Sequence, residues 1–325
     1  MEEREPVYRV CVDPEDIRMQ LEADVRRGLA SHPKFIPLRW HWDTRGEALF
    51  AKLGSQPEYY LARAEAGLIA RDAGQIVASG RGTHLIDLGS GMVGRVRMLL
   101  DALRAEDRLE GYCAIDIDQS SLESSLPDLA RDYPEADVGG IVADFLRQTD
   151  QIPSGDHRIV ALLGGTFGNF TASERSLLLE SLRRELRPGE EMLLGADLVK
   201  EPETILRAYD DAAGITASFD LNILRVLNRH LDADFDRDSF THHVRWNSIA
   251  KSVEMSLVAE RDMEVDVSAL EMDVSFKEGE HLQTGFSVKF DPDELTADFA
   301  DRGFSPEGVW LDEGDGYGLF LFKAV

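Results

Sequence analysis

The chain has 325 residues, of which 43% are hydrophobic, 8% aromatic and 30% charged, and its formal net charge is −26. That length exceeds one compact core and implies two domains or one large elaborated one, while the apolar content excludes a disordered chain. So acidic a surface excludes nucleic acid and anionic membranes, which need a basic patch, and suits a small zwitterionic or cationic substrate.

Residues 14–29 have helical spacing within an otherwise mixed first sixty residues, and a loop follows around His32-Pro33-Lys34. Residues 83–89 (THLIDLG) form a short apolar run ending in glycine, the pattern of a buried strand. A helix is predicted over 93–103 and a strand ending in acids over 112–118. A second helix is predicted over 120–133, which Pro127 should break or kink. Strands over 138–145 and 158–164, a polar loop over 164–171, an amphipathic helix over 172–186 and a fifth strand over 191–198 follow. Thr171 or Ser173 is placed to cap that helix, and Pro188-Gly189 ends it. Strands alternating with helices predict an α/β, parallel, doubly wound sheet. The pattern then changes to helices over 201–213 and 219–231 and several strands between 241 and 290, as for an inserted α+β unit. A helix over 291–304 and short strands at 309–311 and 318–323, flanking the turn 313–316, close the chain.

The two cysteines, Cys11 and Cys113, are too few for a disulfide framework and match no zinc pattern. His242 and His243 are adjacent, so on a strand they point to opposite faces; no metal site is expected. The opening MEEREPVYRV lacks the apolar stretch of a secretory signal, and no run approaches the roughly 18–20 apolar residues that span a bilayer. A soluble, cytoplasmic, monomeric protein is expected.

Ligands of open α/β sheets lie at the carboxyl ends of the strands. At the first such end stand Gly89, Ser90 and Gly91, where the lack of Cβ atoms permits a sharp turn and close approach. A lone Gly-x-Gly is weak evidence, because dinucleotide-binding dehydrogenases share it. At the next end Asp116 can accept hydrogen bonds from two ribose hydroxyls. At the third, Asp144 can receive an adenine amino group while Phe145 offers a stacking face. Singly these are a turn, a solvated acid and a core phenyl. In order on successive strand ends they favour a methyl-donor site for S-adenosylmethionine, with S-adenosylhomocysteine as product, over a dinucleotide site.

Further segments are Gly46-Glu47-Ala48-Leu49-Phe50, Pro57-Glu58-Tyr59-Tyr60 with Arg63 and Glu65, residues 164–169 (GGTFGN) and 194–200 (LGADLVK). Others are Arg207-Ala208-Tyr209-Asp210-Asp211, Ala233-Asp234-Phe235, Arg245-Trp246-Asn247-Ser248 and Glu254-Met255. With residues 87–91 they span nearly the whole chain, which by them resembles the histidine Nα-methyltransferases of ergothioneine biosynthesis, enzymes that convert histidine to its trimethyl betaine. The resemblance implies a Rossmann-type methyltransferase domain of residues 64–198 and 289–325. It also implies a discontinuous substrate domain of residues 1–63 and 199–288. It implies that Tyr59, Asn169 and Tyr209 grip the α-amino and carboxylate groups, that Gly164 belongs to the substrate site, and that Gly89, Arg95, Asp116, Asp144 and Phe145 belong to the cofactor site. Arg95 stands where a lysine is common in the family, and the two are not geometrically equivalent. Tyr59 and Asn169, or a water they hold, are the candidates for leading a proton off the attacking amine.

The departures concern the acceptor's side chain. The family has a glutamate that receives the imidazole N–H where this chain has Gly285, and a tyrosine where it has Trp42; Ser287, Lys289 and Phe290 remain. A site that loses its acceptor loses discrimination for the donor. With Phe286 and Met255 alongside, a larger, less acidic, more aromatic pocket is expected, and with it a larger aromatic amino acid such as tryptophan. The alternatives are histidine, with His281 or Gln283 supplying the lost contact, and another small amine such as arginine.

Overall fold

The computed structural model describes residues 5–89, 93–312, 314 and 316–325. The chain forms two compact units, one of Met1–Val12, Leu61–Leu198 and Phe290–Val325, the other of Asp13–Tyr60 and Val199–Lys289.

The first unit is built on an eight-stranded sheet. Its order is Val7–Val10, Asp137–Val142, Gly111–Asp116, His84–Leu88, Arg158–Leu162, Glu191–Asp197, Tyr317–Ala324, Phe304–Leu311. The first six strands are parallel and the last two antiparallel. Arg158–Leu162 and Glu191–Asp197 are buried at every position, as expected for inner strands covered on both faces. The strand order reverses between His84–Leu88 and Arg158–Leu162, where such folds open a crevice. Gly89 and Gly164 follow soon after these two strands, with φ of 80° and 79°. Both need the left-handed region that glycine enters at little cost.

Two expectations are corrected here, and the choice between two helix caps is decided. Val7–Val10, expected in the substrate domain, pairs in parallel with Asp137–Val142 at the edge of the large sheet, and Cys11 N–H extends the pairing to the Val142 carbonyl (2.9 Å). Pro127 does not break its helix, which runs unbroken over Gln119–Asp132. Leu122, Leu126, Leu129 and Ala130 are buried along one side, each leucine worth about 1.5–3 kcal/mol. Together they outweigh a proline penalty of about 3 kcal/mol, and Pro127 itself lies on the exposed face. The cap of Ala172–Glu185 is Thr171, in a reciprocal capping box with Glu174.

The second unit has a four-stranded sheet, ordered Lys34–Phe35, His281–Val288, Ser252–Ala259, Phe240–Asn247, and a separate hairpin of Met263–Val267 with Met272–Phe276. Leu21, Val25 and Leu29 of the helix Pro14–Ala30 share a core with Ile223, Leu224 and Leu227 of Asn222–Leu231. That core continues onto Leu257 and Leu282 of the sheet. The pairing of His281–Val288 with Ser252–Ala259 slips by one residue between Gln283 and Gly285, a bulge at Thr284. Among the described residues no helix is long and apolar enough to cross a membrane.

Candidate functional site

In the first unit Gly89, Asp116, Asp144 and Phe145 stand at or just beyond the carboxyl ends of three adjacent parallel strands. Asp116 ends the strand Gly111–Asp116 opposite Val142, and Asp144 and Phe145 follow the next strand. A Cβ placed on Gly89 would come within 3.8 Å of the Phe145 ring, so the first and third features flank the same space. Asp116 turns one oxygen back to Asp118 N–H (3.0 Å), and Asp144 turns one to Leu146 N–H (3.1 Å), fixing both carboxylates. Phe145 meets Phe170 edge-on, 6.2 Å between centroids. A glycine turn without a Cβ, a ring beside it and two oriented carboxylates fit an adenosine group. Ser90 and Gly91 lie outside the described residues.

Arg95 is 8% exposed and pairs with Glu65, which is fully buried. Glu65 also accepts from the Gly164 N–H (2.7 Å) and the Tyr317 hydroxyl (2.7 Å). Gly195 makes room for this carboxylate, since a Cβ there would stand 2.2 Å from a Glu65 oxygen. Burial opposes the Arg95 charge, but Glu65 and Asp87 outweigh it and hold its pKa above the ordinary value. Burial pushes Asp87 up to about 7, against the pull of Arg95 and a hydrogen bond from Tyr112 (3.3 Å). Burial and the Glu65 charge push Tyr317 well above the ordinary phenol value. Thus Arg95, expected at the cofactor, is anchored to the loop that begins at Gly164. In the sequence Glu65 and Asp87 stand out only as members of segments that match the family, and nothing there marks Tyr317. Asn169, half-buried, ends the short helix Thr166–Asn169 in that loop.

In the second unit Tyr59 and Tyr209 are 6% and 8% exposed and meet edge-on, 6.3 Å between centroids. Lys289, fully buried, donates to the Tyr209 hydroxyl (2.8 Å) and to Ser287 Oγ (3.1 Å). A phenol that accepts from a lysine directs its own proton elsewhere, toward another acceptor. Lys200 makes a similar bond to the Tyr60 hydroxyl (2.6 Å). Neither lysine stands out as a site residue in the sequence, although Lys200 lies in a segment that carries the resemblance and Lys289 is retained beside the departure at Gly285.

The expected widening of the pocket does not occur at Gly285. A Cβ there would stand 2.9 Å from Met255 Cε and 3.1 Å from Leu38 Cδ1, so two apolar side chains already occupy the space. Trp42 is taken up in an aromatic cluster, edge-on to Phe50 at 4.8 Å and to Phe219 at 5.3 Å. Phe286 is half-buried and Ser287 buried. His281, an alternative contact, is exposed and bonded to Ser256 (2.9 Å) beside the His243 ring.

Comparison with known proteins sets these features in a family. The model of a family described as histidine-specific, S-adenosylmethionine-dependent methyltransferases matches residues 21–324. The histidine N-alpha-methyltransferase of Mycolicibacterium smegmatis is 40% identical over 301 residues, covering 93% of this chain and 94% of that protein. Its counterpart from Mycobacterium tuberculosis is 40% identical over 303 residues, with the same coverage, 93% and 94%. The 4-dimethylallyltryptophan N-methyltransferase of Claviceps fusiformis is 29% identical over 328 residues, covering 92% of each. These relatives overturn the expectation of a tryptophan-like substrate, because the two at 40% identity are histidine enzymes. The physical reason lies at Gly285: the missing side chain opens no volume there, because Leu38 and Met255 close on the position.

Proposed function

The chain belongs to the histidine-specific, S-adenosylmethionine-dependent methyltransferases, and from that premise we propose that its acceptor is the α-amino group of free L-histidine, carried to the trimethyl betaine. The chain is an S-adenosylmethionine-dependent amino-acid N-methyltransferase with a Rossmann-like fold and an α+β accessory unit. The observation that carries the histidine reading is the 40% identity, across 93% of the chain, to two histidine N-alpha-methyltransferases.

The residues support it as follows. Gly89, Asp116, Asp144 and Phe145, with Ser90 and Gly91, would hold the cofactor, and Arg95 would act through Glu65 on the Gly164 loop. When bound, S-adenosylmethionine supplies a methyl group on a positively charged sulfur. Tyr209, its hydroxyl already accepting from Lys289, has a proton to give a carboxylate, and the buried ammonium nearby adds attraction for an anion. Tyr59 and Asn169 would orient the amine and lead its proton away, since only the neutral amine can attack. An ordinary phenol has a pKa of roughly 10, so positioning counts for more here than strong basicity. Met255, Gly285, Phe286, Ser287 and Trp42 are the proposed surroundings of the acceptor's side chain.

The test is direct. Purified protein is incubated with labelled S-adenosylmethionine and each of the twenty L-amino acids, and product masses are recorded. Histidine should gain up to three methyl groups and outcompete tryptophan. Methylation of tryptophan or another amino acid with histidine inert would refute the reading.

A further inference from the structure

Tyr209 is held at both ends. Lys289 donates to its hydroxyl, and His242 Nε2 lies 3.0 Å from its backbone carbonyl. That carbonyl belongs to the last residue of the helix Pro202–Tyr209, where main-chain acceptors lack helical partners. The other ring nitrogen, His242 Nδ1, lies 2.7 Å from Asp220 Oδ2. Both side chains are 3% exposed.

Neither partner of the ring has a proton to give. A main-chain carbonyl only accepts. Burial works against the Asp220 charge, but His242 and His41 hold its carboxyl down at about 2, so it is ionised. Both ring nitrogens must therefore donate, and a histidine with two N–H groups is the imidazolium. A cation is also favoured at a helix C-terminus.

We infer that His242 is a positioning residue for amino-acid binding: as an imidazolium clamped by Asp220 it fixes the main chain of Tyr209, and when it loses its proton the grip on the substrate carboxylate loosens. The inference rests on the reading of Tyr209 as a carboxylate ligand. A neutral ring keeps one N–H, and the ionised carboxylate is the stronger partner for it. Nε2 would then turn a lone pair toward the Tyr209 carbonyl and release it.

The charged surroundings agree. Burial disfavours the imidazolium, but the Asp220 bond and charge, the Tyr209 carbonyl and the Asp210 charge together raise the His242 pKa above its ordinary 6.5. His41 lies beside the carboxylate: its Nε2 stands 3.4 Å from Asp220 Oδ1 without a full hydrogen bond, while its Nδ1 faces the Leu38 carbonyl at 3.1 Å. On the helix before Tyr209, Arg207 is paired with Glu203. On the neighbouring strand Glu254 is turned to Arg245 and Asn247, and His243 packs against His281.

The experiment uses the full chain labelled with ¹⁵N-histidine. The His242 ring signals are assigned by their absence in His242→Gln and followed between pH 6 and 9.5. KM for L-histidine and for S-adenosylmethionine is measured over the same range in wild type, His242→Gln and Tyr209→Phe. Dividing the His242→Gln KM by that of wild type cancels the substrate's own titration. His242 should be mostly doubly protonated at pH 6.5. The ratio for L-histidine should be about tenfold at low pH, the scale of one hydrogen bond, and fall toward one as the ring loses its proton, with the cofactor KM flat. A ring mostly singly protonated at pH 6.5, or a ratio that does not vary with pH, would overturn the inference. If His242→Gln fails to bind cofactor and so is misfolded, wild type decides, because the ring titration and the change in the histidine KM must share a midpoint. An unchanged histidine KM in Tyr209→Phe would instead sink the underlying reading of Tyr209, whatever the state of the ring.

Discussion

Each unit buries a carboxylate that ties together distant stretches of chain, but the donors differ. In the first unit Glu65 takes Arg95, the Tyr317 hydroxyl and the Gly164 N–H. None of these gives up its proton in the neutral range, since Arg95 and Tyr317 are both held above their ordinary values. In the second unit Asp220 takes His242, with His41 beside it, and histidine is the side chain whose charge changes near neutrality. The same physical device, a buried anion among donors, is a permanent fastening in one place and a titratable one in the other. The Gly164 loop is fastened by the first and Tyr209 by the second.

The sharpest way to break this comparison is to remove the permanent anion. Glu65→Ala leaves Arg95 as a buried charge without its carboxylate and strands two further donors. It should cost about 3–5 kcal/mol in urea unfolding of the intact protein and abolish cofactor binding. A loss under about 1 kcal/mol would mean that Asp87 takes over the guanidinium. A milder cut is Tyr317→Phe, which deletes one hydrogen bond to a charged group and should cost about 1.5–3 kcal/mol, equally at pH 6 and pH 9. A cost that varies with pH would show that the fastening is coupled to Asp87, which burial lifts to about 7.

Much of the sheet was legible in the sequence because its inner strands are unbroken apolar runs ended by glycine or aspartate, as at Asp87-Leu88-Gly89. The strand Val7–Val10 was not, since all four residues are exposed and no burial pattern marks them. Nor was the helix Tyr60–Ser79, which is rich in alanine, carries Gly67 and Gly74, and has apolar residues on more than one side. The Glu65 fastening joins residues 252 apart to Tyr317, and Gly195 reads as an ordinary strand residue until the carboxylate beside it is seen. The error at Gly285 has the same root. A sequence shows which side chain is gone, but whether a void results depends on how far the neighbours close in. Here Leu38 and Met255 have closed.

The smallest expected effect separates the two fastenings most cleanly. Because the folded-state pKa of His242 lies above 6.5, its contribution to stability is complete below that value and is lost as pH rises through the raised one. Asp220, held down at about 2 against an ordinary 3.8, contributes above 3.8 and loses that contribution as pH falls through 2. The second unit should therefore be most stable between about pH 4 and 6.5. Between pH 6.5 and 9 it should lose about 1 kcal/mol, the worth of one hydrogen bond. Asp87 acts in the same direction from the first unit: its folded-state value is raised to about 7, so its contribution is complete below 3.8 and fades as pH rises through 7. The two are told apart by their reporters. Trp40, Trp42 and Trp246 belong to the second unit and Trp310 to the first, three of the four tryptophans against one. In a Trp310→Phe background, tryptophan fluorescence during urea unfolding reads the second unit alone. There the alkaline loss should be present in the parent and absent from His242→Gln. A loss that survives His242→Gln belongs to some other titrating group, and the second fastening would then be as permanent as the first.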